Sequence, residues 1–317
     1  MKNIIPEKLK NSDEIRVIAP SRSMNILNEE TISIATKRLE ELGFKVTFGK
    51  NVKNEINSEY GCATIEDRIE DLHEAFIDKN VKAILTVIGG FNVNQILDYI
   101  DYELIRNNPK IICGFSDITA LLDAIYAKTG LVTYYGPHYS SFGMKKGVEY
   151  TLKYFKSMFI EDGEILIEDS KQWSDDPWFL EQENRNFINN KGRQVLNLGE
   201  AEGKIIGGNL CTLNLLQGTE YMPDLDESIL FLEDDGMSGK EFLREFDRNI
   251  QSLLHCAKGK NIKGIIIGRA QKSCEMTVEK WNKIIETKKE LKDITVIIDF
   301  DFGHTTPIFS FTIGGYA

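Results

Sequence analysis

The sequence predicts an α/β protein in which helices cover both faces of a parallel sheet. Short apolar runs rich in β-branched residues alternate with amphipathic helical stretches from the beginning of the chain. Two of these runs, residues 83–88 and 111–114, are almost entirely apolar, as strands are when both faces of a parallel sheet are buried. The chain has 317 residues, more than one hydrophobic core usually contains, so we expect two domains.

The individual elements follow from local patterns. Strands are predicted at residues 15–20, 45–48, 83–88, 111–114, 132–135, 203–206, 229–232, 264–267 and 295–298. Helices are predicted at residues 28–42, 64–78, 118–128, 210–216, 240–254 and 278–289. In the first helix Ile32, Ala35 and Leu39 recur at helical spacing, and Gly43 follows as a C-cap. Thr64 provides a capping signal at the start of the second helix.

A polar stretch separates the two halves of the chain. Between about residues 161 and 202 the alternation gives way to an Asn- and Asp-rich segment that contains Trp173 and Trp178. We therefore predict an N-terminal α/β domain at 1–165, a linker with a tryptophan loop at 166–202, and a smaller C-terminal α/β domain at 203–317.

The composition excludes several classes of protein. The chain has 38 Lys and Arg against 49 Asp and Glu, a net charge of -11 that disfavours a nucleic acid polymer as the partner. It has no apolar run of about 18 residues and no signal-peptide pattern, so we expect a cytoplasmic protein without a membrane partner. The five cysteines form no Cys-x-x-Cys pair, which favours reduced thiols over a disulfide framework or a zinc site.

No cofactor is predicted. The glycine-rich segment at 236–241 is not a phosphate-binding P-loop. Aligned on Gly239 and Lys240, the motif needs its first Gly two residues before the segment, where the chain has Asp234, and Ser or Thr where it has Glu241. No Gly-x-Gly-x-x-Gly motif follows the first strand. Neither nucleotide-dependent phosphoryl transfer nor hydride transfer is therefore supported.

Polar residues at strand ends are the candidates for chemistry, because ligands of α/β sheets bind there. Ser116 lies between an apolar strand and an amphipathic helix, as the serine of a nucleophile elbow does. Position 118 is Ile rather than the Gly of the usual Gly-x-Ser-x-Gly signature, so a helix N-cap is the alternative for Ser116.

A nucleophilic serine needs a base, and the chain has four histidines. His73 lies on the polar side of a predicted helix, where we expect it to be solvated, and His255 lies near a helix C-terminus, where the dipole favours it. His138 and His304 are loop residues, and only His304 directly follows a strand end. Each of these two could instead be a structural loop histidine.

Glu233 follows an apolar strand, where a carboxylate needs a cationic or N–H partner. An imidazole N–H would serve, since a carboxylate can fix its tautomer and stabilise the imidazolium. The alternatives are a solvated acidic turn formed with Asp234 and Asp235, and a divalent cation site, although no second ligand cluster accompanies these residues. We predict no metal.

With these residues in place, the chain resembles the serine-peptidase family that contains LD-carboxypeptidases and the microcin C self-immunity hydrolases. The matching segments are VIAPS (17–21), IGGFN (88–92), GFSDITAL (114–121), YGP (135–137), GGNL (207–210), FLED (231–234) and FGH (302–304). WSDDPW (173–178) and IGGNL (206–210) are more similar to the microcin-immunity branch.

The resemblance implies a role for each matched residue. Ser116 would be the nucleophile, His304 the base and Glu233 the residue that orients the base. The backbone N–H groups of Gly90 and Asp117 would form the oxyanion hole. The implied fold is similar to class I glutamine amidotransferases in its N-terminal half, and the implied assembly is a homodimer.

We accordingly expect a carboxypeptidase-type serine hydrolase that cleaves an amide bond in a small peptide or an aminoacyl-nucleotide. Asn209, Trp173 and Trp178 are the candidate substrate-binding residues, the indoles because an exposed ring can stack on a nucleobase. The alternatives are a muramoyltetrapeptide LD-carboxypeptidase in murein recycling and a non-catalytic two-domain solute-binding protein.

Overall fold

The computed structural model describes residues 2–258 and 260–317. The strands are β1 Glu14–Ile18, β2 Lys45–Phe48, β3 Val81–Thr86, β4 Ile111–Gly114, β5 Thr133–Tyr135, β6 Gln172–Trp173, β7 Ile188–Asn189, β8 Gln194–Asn197, β9 Lys204–Asn209, β10 Ser228–Glu233, β11 Gly264–Gly268, β12 Thr295–Phe300 and β13 Phe311–Ile313. The helices are α1 Glu29–Glu41, α2 Ile65–Ile77, α3 Tyr102–Asn107, α4 Thr119–Thr129, α5 Glu149–Phe159, α6 Leu210–Asn214, α7 Phe242–Cys256 and α8 Val278–Glu286. The structure contains every strand and helix that the sequence predicts, with small differences at the ends.

Local sequence signals explain where the helices begin. The Oδ1 of Asn28 accepts from the Thr31 N–H at 2.7 Å and caps α1, and the Oγ1 of Thr64 accepts from the Asp67 N–H at 3.1 Å and caps α2. The buried side chains of α7 recur at helical spacing, so one face packs on the second sheet: Phe242, Phe246, Ile250, Leu253 and Leu254.

The N-terminal sheet has the strand order β13-β5-β4-β3-β1-β2. Its consecutive strands pair in parallel except at one edge, where β13 pairs antiparallel with β5. The expectation of a purely parallel sheet is wrong at this edge, because the chain returns from its C-terminal end to add β13. Such a return is a long-range pairing that local periodicity cannot show.

The second sheet has the order β8-β12-β11-β10-β9 and is mixed, since β8 pairs antiparallel with β12. β8 comes from the polar segment that the sequence analysis treated as linker and loop. The same segment forms the small antiparallel pair β6-β7. These strands were not predicted, because they are short and largely solvated.

One hydrophobic cluster extends through both sheets and includes Ile112 on β4, Phe231 on β10 and Phe311 on β13. A second cluster lies on the other face of the N-terminal sheet under α1 and α5. At the junction, the backbone N–H of Asn209 donates to Thr119 Oγ1 at 3.0 Å and joins β9 to α4. This shared core holds the carboxyl ends of β4 and β10 close to each other. Among the helices that the structure describes, none combines the length and the apolar character needed to cross a membrane.

Candidate active site

Three strand ends meet between the two sheets. Ser116 follows β4, Glu233 ends β10, and His304 lies shortly after β12. The Nε2 of His304 lies 3.0 Å from Ser116 Oγ, and its Nδ1 lies 2.7 Å from Glu233 Oε2. The structure thus brings together the hydroxyl, imidazole and carboxylate predicted from the sequence, each within hydrogen-bond distance of the next.

The turn at Ser116 explains why its hydroxyl is exposed to the imidazole. Ser116 has a φ of 61°, a left-handed conformation that a serine rarely adopts. Gly89 leaves room for the serine, since a Cβ there would lie 3.0 Å from Ser116 Cβ, and Gly114 allows β4 to approach β3, since its Cβ would lie 2.3 Å from a side-chain oxygen of that strand. The alternative in which Ser116 is a helix N-cap is wrong, because other residues occupy the cap positions of this turn and of α4.

Burial and charge set the protonation of the carboxylate and the imidazole. Glu233 is only 1% exposed; burial alone would raise its pKa, but the His304 charge and hydrogen bonds from His304, Tyr135 and Asn209 outweigh burial and lower it. For His304, burial favours the neutral ring, yet the Glu233 carboxylate, helped by Asp235, raises the pKa to about 9. The site therefore holds a charged carboxylate that strongly stabilises an imidazolium.

The acidic residues at the end of β10 do not form a solvated turn. Glu233 is buried, and burial together with the neighbouring Glu233 charge raises the pKa of Asp234 to about 7. The alternative of a solvated acidic turn is therefore wrong for Glu233. Within residues 2–258 and 260–317, no three His, Cys, Asp or Glu side chains come together as metal ligands.

A hydrogen-bond cluster fastens the loop after β3 to the Ser116 turn. One carboxylate oxygen of Asp117 accepts from the Ser21 hydroxyl at 2.6 Å and from the backbone N–H groups of Asn92 and Val93 at 2.9 and 3.1 Å. Gly90 lies on this loop and lines the cavity next to Ser116. Gly90 and Asp117 thus lie on two backbone segments that these hydrogen bonds join, and their role as an oxyanion hole remains a prediction.

The other three histidines take no part in the contacts among Ser116, His304 and Glu233, although His138 lines the same cavity as Ser116. His138 is buried, its Nδ1 lies 2.8 Å from Thr86 Oγ1, and burial lowers its pKa to about 3. His73 is half-buried rather than solvated as expected, because its Nε2 accepts from the Asp101 N–H at 3.0 Å. His255 lies in the last turn of α7, as predicted.

A cavity of about 760 Å³ opens above the Ser116 hydroxyl. Its walls are formed by loops after strands of both sheets and by the polar connecting segment. The loops contribute Phe91, Met237 and Thr306, and the polar segment contributes Asp176 and Trp178. The volume lies within the range of small-molecule binding sites. Phe91 and Met237 remain largely exposed at its rim.

Two of the three predicted substrate-binding residues lie outside this cavity. Trp178 lines it, but Trp173 packs under the guanidinium of Arg269, which lies 5.1 Å from the ring centroid. Asn209 is buried, and its amide donates to Glu233 Oε1 at 3.2 Å. Its Oδ1 accepts from the Thr212 N–H as the cap of α6. Both side chains have protein partners in this structure, and the prediction that Trp173 and Asn209 bind substrate stays a prediction.

Two residues at the site had no role predicted from the sequence, although one of them, Tyr135, lies in the matched segment YGP (135–137). Tyr135 ends β5 and donates from its hydroxyl to Glu233 Oε1 at 2.7 Å. Arg22 follows β1 and lines the cavity beside Gly90. Tyr135 ends a strand of the N-terminal sheet and Arg22 lies in the loop after another, the kind of position at which the other site residues were predicted.

Comparison with known proteins places this geometry in a family. The LD-carboxypeptidase N-terminal domain matches residues 15–136, and the LD-carboxypeptidase C-terminal domain matches residues 202–317. YocD of Bacillus subtilis, a candidate carboxypeptidase, is 53% identical over 97% of this chain and 93% of its own. The microcin C7 self-immunity protein MccF of Escherichia coli is 32% identical over 87% of this chain and 81% of its own.

Solved structures agree with these matches. An MccF-like protein from Bacillus anthracis str. Ames is 54% identical with a TM-score of 0.97, covering 99% of this chain and 95% of that one. MccF in complex with aspartyl sulfamoyl adenosine is 29% identical with a TM-score of 0.87, covering 99% and 94%. The fold and these matches define a serine peptidase with an α/β fold. The chain belongs to the LD-carboxypeptidase family, peptidase family S66.

Proposed function

We propose that the chain hydrolyses an amide bond next to a terminal aminoacyl group, with Ser116 as nucleophile, His304 as base and Glu233 as the residue that orients His304. The observation that carries this proposal is the unbroken chain of contacts from Ser116 Oγ through His304 to Glu233, at 3.0 and 2.7 Å. Each distance is within hydrogen-bond reach, which proton transfer requires.

In the proposed reaction, Ser116 Oγ attacks the carbonyl carbon while its proton moves to His304 Nε2. The imidazolium then forms beside Glu233, whose charge stabilises it. Collapse of the tetrahedral intermediate breaks the C–N bond, and His304 gives the proton to the leaving nitrogen. Water then hydrolyses the acyl-enzyme by the same route, with His304 again as base.

The backbone N–H groups of Gly90 and Asp117 are proposed to stabilise the oxyanion. The contacts of Asp117 with Ser21, Asn92 and Val93 support this role, because they fix the two backbone segments relative to each other before substrate binds. A donor fixed in advance costs no reorganisation during the reaction.

For the substrate we favour an aminoacyl-nucleotide. Trp178 on the cavity wall could stack on a base, and Arg22 could face an anionic group of the same ligand. MccF, with 29% identity and the same fold, has been crystallised with aspartyl sulfamoyl adenosine and with glutamyl sulfamoyl guanosine. A self-immunity activity like that of MccF is the finer form of this proposal.

Trimming of murein tetrapeptide is the second candidate. A Bacillus subtilis relative named for murein peptide carboxypeptidase activity is 31% identical over 99% of this chain, close to the 32% identity with MccF. Identity therefore does not decide between the two substrates.

We also propose two domains, at 1–165 and 203–317, connected by the segment 166–202, which adds β8 to the second sheet, while β13 reaches back into the first sheet. The placement of Ser116 after a strand of that sheet supports the likeness to class I glutamine amidotransferases. A homodimer remains part of the proposal, and sedimentation of the purified protein tests it.

The deciding experiment measures hydrolysis of aspartyl sulfamoyl adenosine and of murein tetrapeptide by the wild type and by Ser116→Ala. We expect release of sulfamoyl adenosine by the wild type and none by the variant. Faster turnover of the tetrapeptide would favour the second candidate. Equal hydrolysis by both proteins would refute Ser116 as nucleophile.

A further inference from the structure

The Tyr135 hydroxyl lies between the two halves of the site, and nothing in the proposed reaction uses it. Tyr135 ends β5 in the N-terminal sheet, whereas Glu233 ends β10 in the second sheet. The hydroxyl donates to Glu233 Oε1 at 2.7 Å, and the backbone N–H of Ser116 faces the same hydroxyl. We propose that Tyr135 is a positioning residue that holds the Glu233 carboxylate in register with the Ser116 turn.

The two oxygens of the Glu233 carboxylate have different partners. Oε1 accepts from Tyr135 and, at 3.2 Å, from the amide of Asn209. Oε2 faces His304 Nδ1 at 2.7 Å. Because the terminal torsion of a glutamate is broad and weakly restrained, the carboxylate plane is set by such external donors. The donors on Oε1 therefore determine where Oε2 meets the imidazole.

Tyr135 is built to remain a donor in this position. Its side chain is fully buried, and burial together with the Glu233 charge raises the pKa of its hydroxyl well above the usual value. Its ring stacks on Phe311 with centroids 4.7 Å apart. Gly208 leaves the space that the ring needs, since a Cβ there would lie 3.1 Å from Tyr135 Cδ2. The ring is thus anchored independently of the hydroxyl.

This inference rests on the proposed triad and adds a prediction about charge. A donor on Oε1 draws negative charge away from Oε2, so its removal should let the carboxylate stabilise the His304 imidazolium more strongly. Tyr135→Phe removes the hydroxyl and keeps the ring packing. It should therefore raise the pKa of His304, because more of the Glu233 charge remains on Oε2. It should also lower kcat, because the carboxylate plane is no longer fixed against the imidazole.

The test compares Tyr135→Phe with Tyr134→Phe on whichever substrate the wild type hydrolyses. Tyr134 is the preceding residue on β5, is equally buried, and packs on Phe159 away from Glu233. We expect Tyr135→Phe to lower kcat about 10- to 100-fold, the effect of losing one hydrogen bond to a charged group. We expect KM to change less than about threefold, since Tyr135 lies outside the cavity lining. Tyr134→Phe should match the wild type.

The acid limb of the kcat/KM profile separates positioning from packing. It should move to higher pH in Tyr135→Phe and stay in place in Tyr134→Phe, and NMR titration of His304 should show the same shift in unliganded protein. A lowered kcat with an unmoved acid limb and an unmoved His304 titration would mean that Tyr135 only packs. Wild-type kinetics in Tyr135→Phe would also overturn the inference while leaving the proposed function intact, whereas an inactive wild type or an active Ser116→Ala would refute the function itself.

Discussion

Replacing Glu233 by Gln removes the charge opposite His304 Nδ1 with little change in volume. In the wild type that charge raises the pKa of His304 to about 9, whereas an ordinary histidine titrates near 6.5. The gap of roughly 2.5 units corresponds to about 3 kcal/mol of stabilisation of the imidazolium. Without the Glu233 charge, burial is opposed only by the weaker attraction of Asp235 and Asp234, so the His304 pKa should fall.

Glu233→Gln should change both the pH profile and the maximal rate. The acid limb of kcat/KM should move to lower pH, because His304 is neutral over a wider range. At the same time kcat should fall by about 10⁴-fold, since the imidazolium formed during attack is no longer stabilised and its tautomer is no longer fixed.

The assay is a pH series of initial rates from about pH 5 to 10 on the substrate that the wild type hydrolyses. Glu227→Gln is the matched control, because Glu227 is exposed and lies just before the opposite end of the same strand. It should reproduce the wild-type profile. An acid limb that stays in place or moves upward in Glu233→Gln would refute the electrostatic reasoning.

The same pair predicts a pH dependence of stability. The folded-state pKa of His304 lies above its unfolded value, so the stabilisation is complete below about pH 6.5 and is lost as the pH rises through about 9. The difference in melting temperature between wild type and Glu233→Gln should therefore be largest near pH 6 and shrink towards pH 9. A constant difference across this range would contradict the assignment of the shift to the Glu233 charge.

Three further predictions follow from the site and its surroundings. Ser116→Ala should lower kcat by at least about 10³-fold. Ser116→Gly should be equally inactive but should melt at a higher temperature than Ser116→Ala, because glycine adopts the φ of 61° without strain. Equal melting temperatures of the two variants would contradict backbone strain at Ser116. Trp178→Ala should lower kcat/KM about 10- to 100-fold for nucleotide-bearing substrates and leave kcat/KM for plain peptides unchanged. Trp173→Phe should leave kcat/KM unchanged for both substrate types. Equal losses on both substrate types in Trp178→Ala would show that Trp178 only packs. Gly208→Ala should lower the free energy of unfolding in urea by about 2 kcal/mol or more, since its Cβ would lie 2.6 Å from a side-chain oxygen of α4. Gly218→Ala is the control, because a Cβ there meets open space, and it should lower the free energy of unfolding less. Similar losses in the two variants would contradict the close packing between β9 and α4.

Strong periodic signals account for the part of the fold that the sequence predicts. Most parallel strands of both sheets are buried apolar runs, β2 being the more exposed exception, and their helices carry apolar faces and caps, so these elements are marked locally. β13 and β8 lack such marks because their place is set by pairing partners distant in the chain. The sheets are therefore predicted except at their antiparallel edges.

The candidate site was predictable for a related reason. Ser116, Glu233 and His304 each end or follow a strong strand, so chemistry-bearing residues could be found from strand positions. The contacts of Asn209 and Trp173 could not, since both side chains meet protein groups distant in the chain: Glu233 for Asn209 and Arg269 for Trp173. Tyr135 lies in the matched segment 135–137, but no role was predicted for it, because a tyrosine at the end of an apolar strand is usually a core residue.

The shift of the His304 pKa also lies beyond the sequence. Elimination among the histidines favours His304 on position alone, and position says nothing of its charge balance. That balance depends on the distance to Glu233 and on the burial of both groups, which only the folded structure supplies.

The central claim, that Ser116 is a nucleophile activated by His304 and Glu233, is tested most directly by covalent labelling with a fluorophosphonate probe followed by peptide mapping. The account predicts one label per chain on Ser116, formed at a rate that falls steeply in His304→Asn and in Glu233→Gln, with loss of hydrolysis in proportion to labelling. A label on another residue, or full hydrolysis by protein whose Ser116 is labelled, would contradict it.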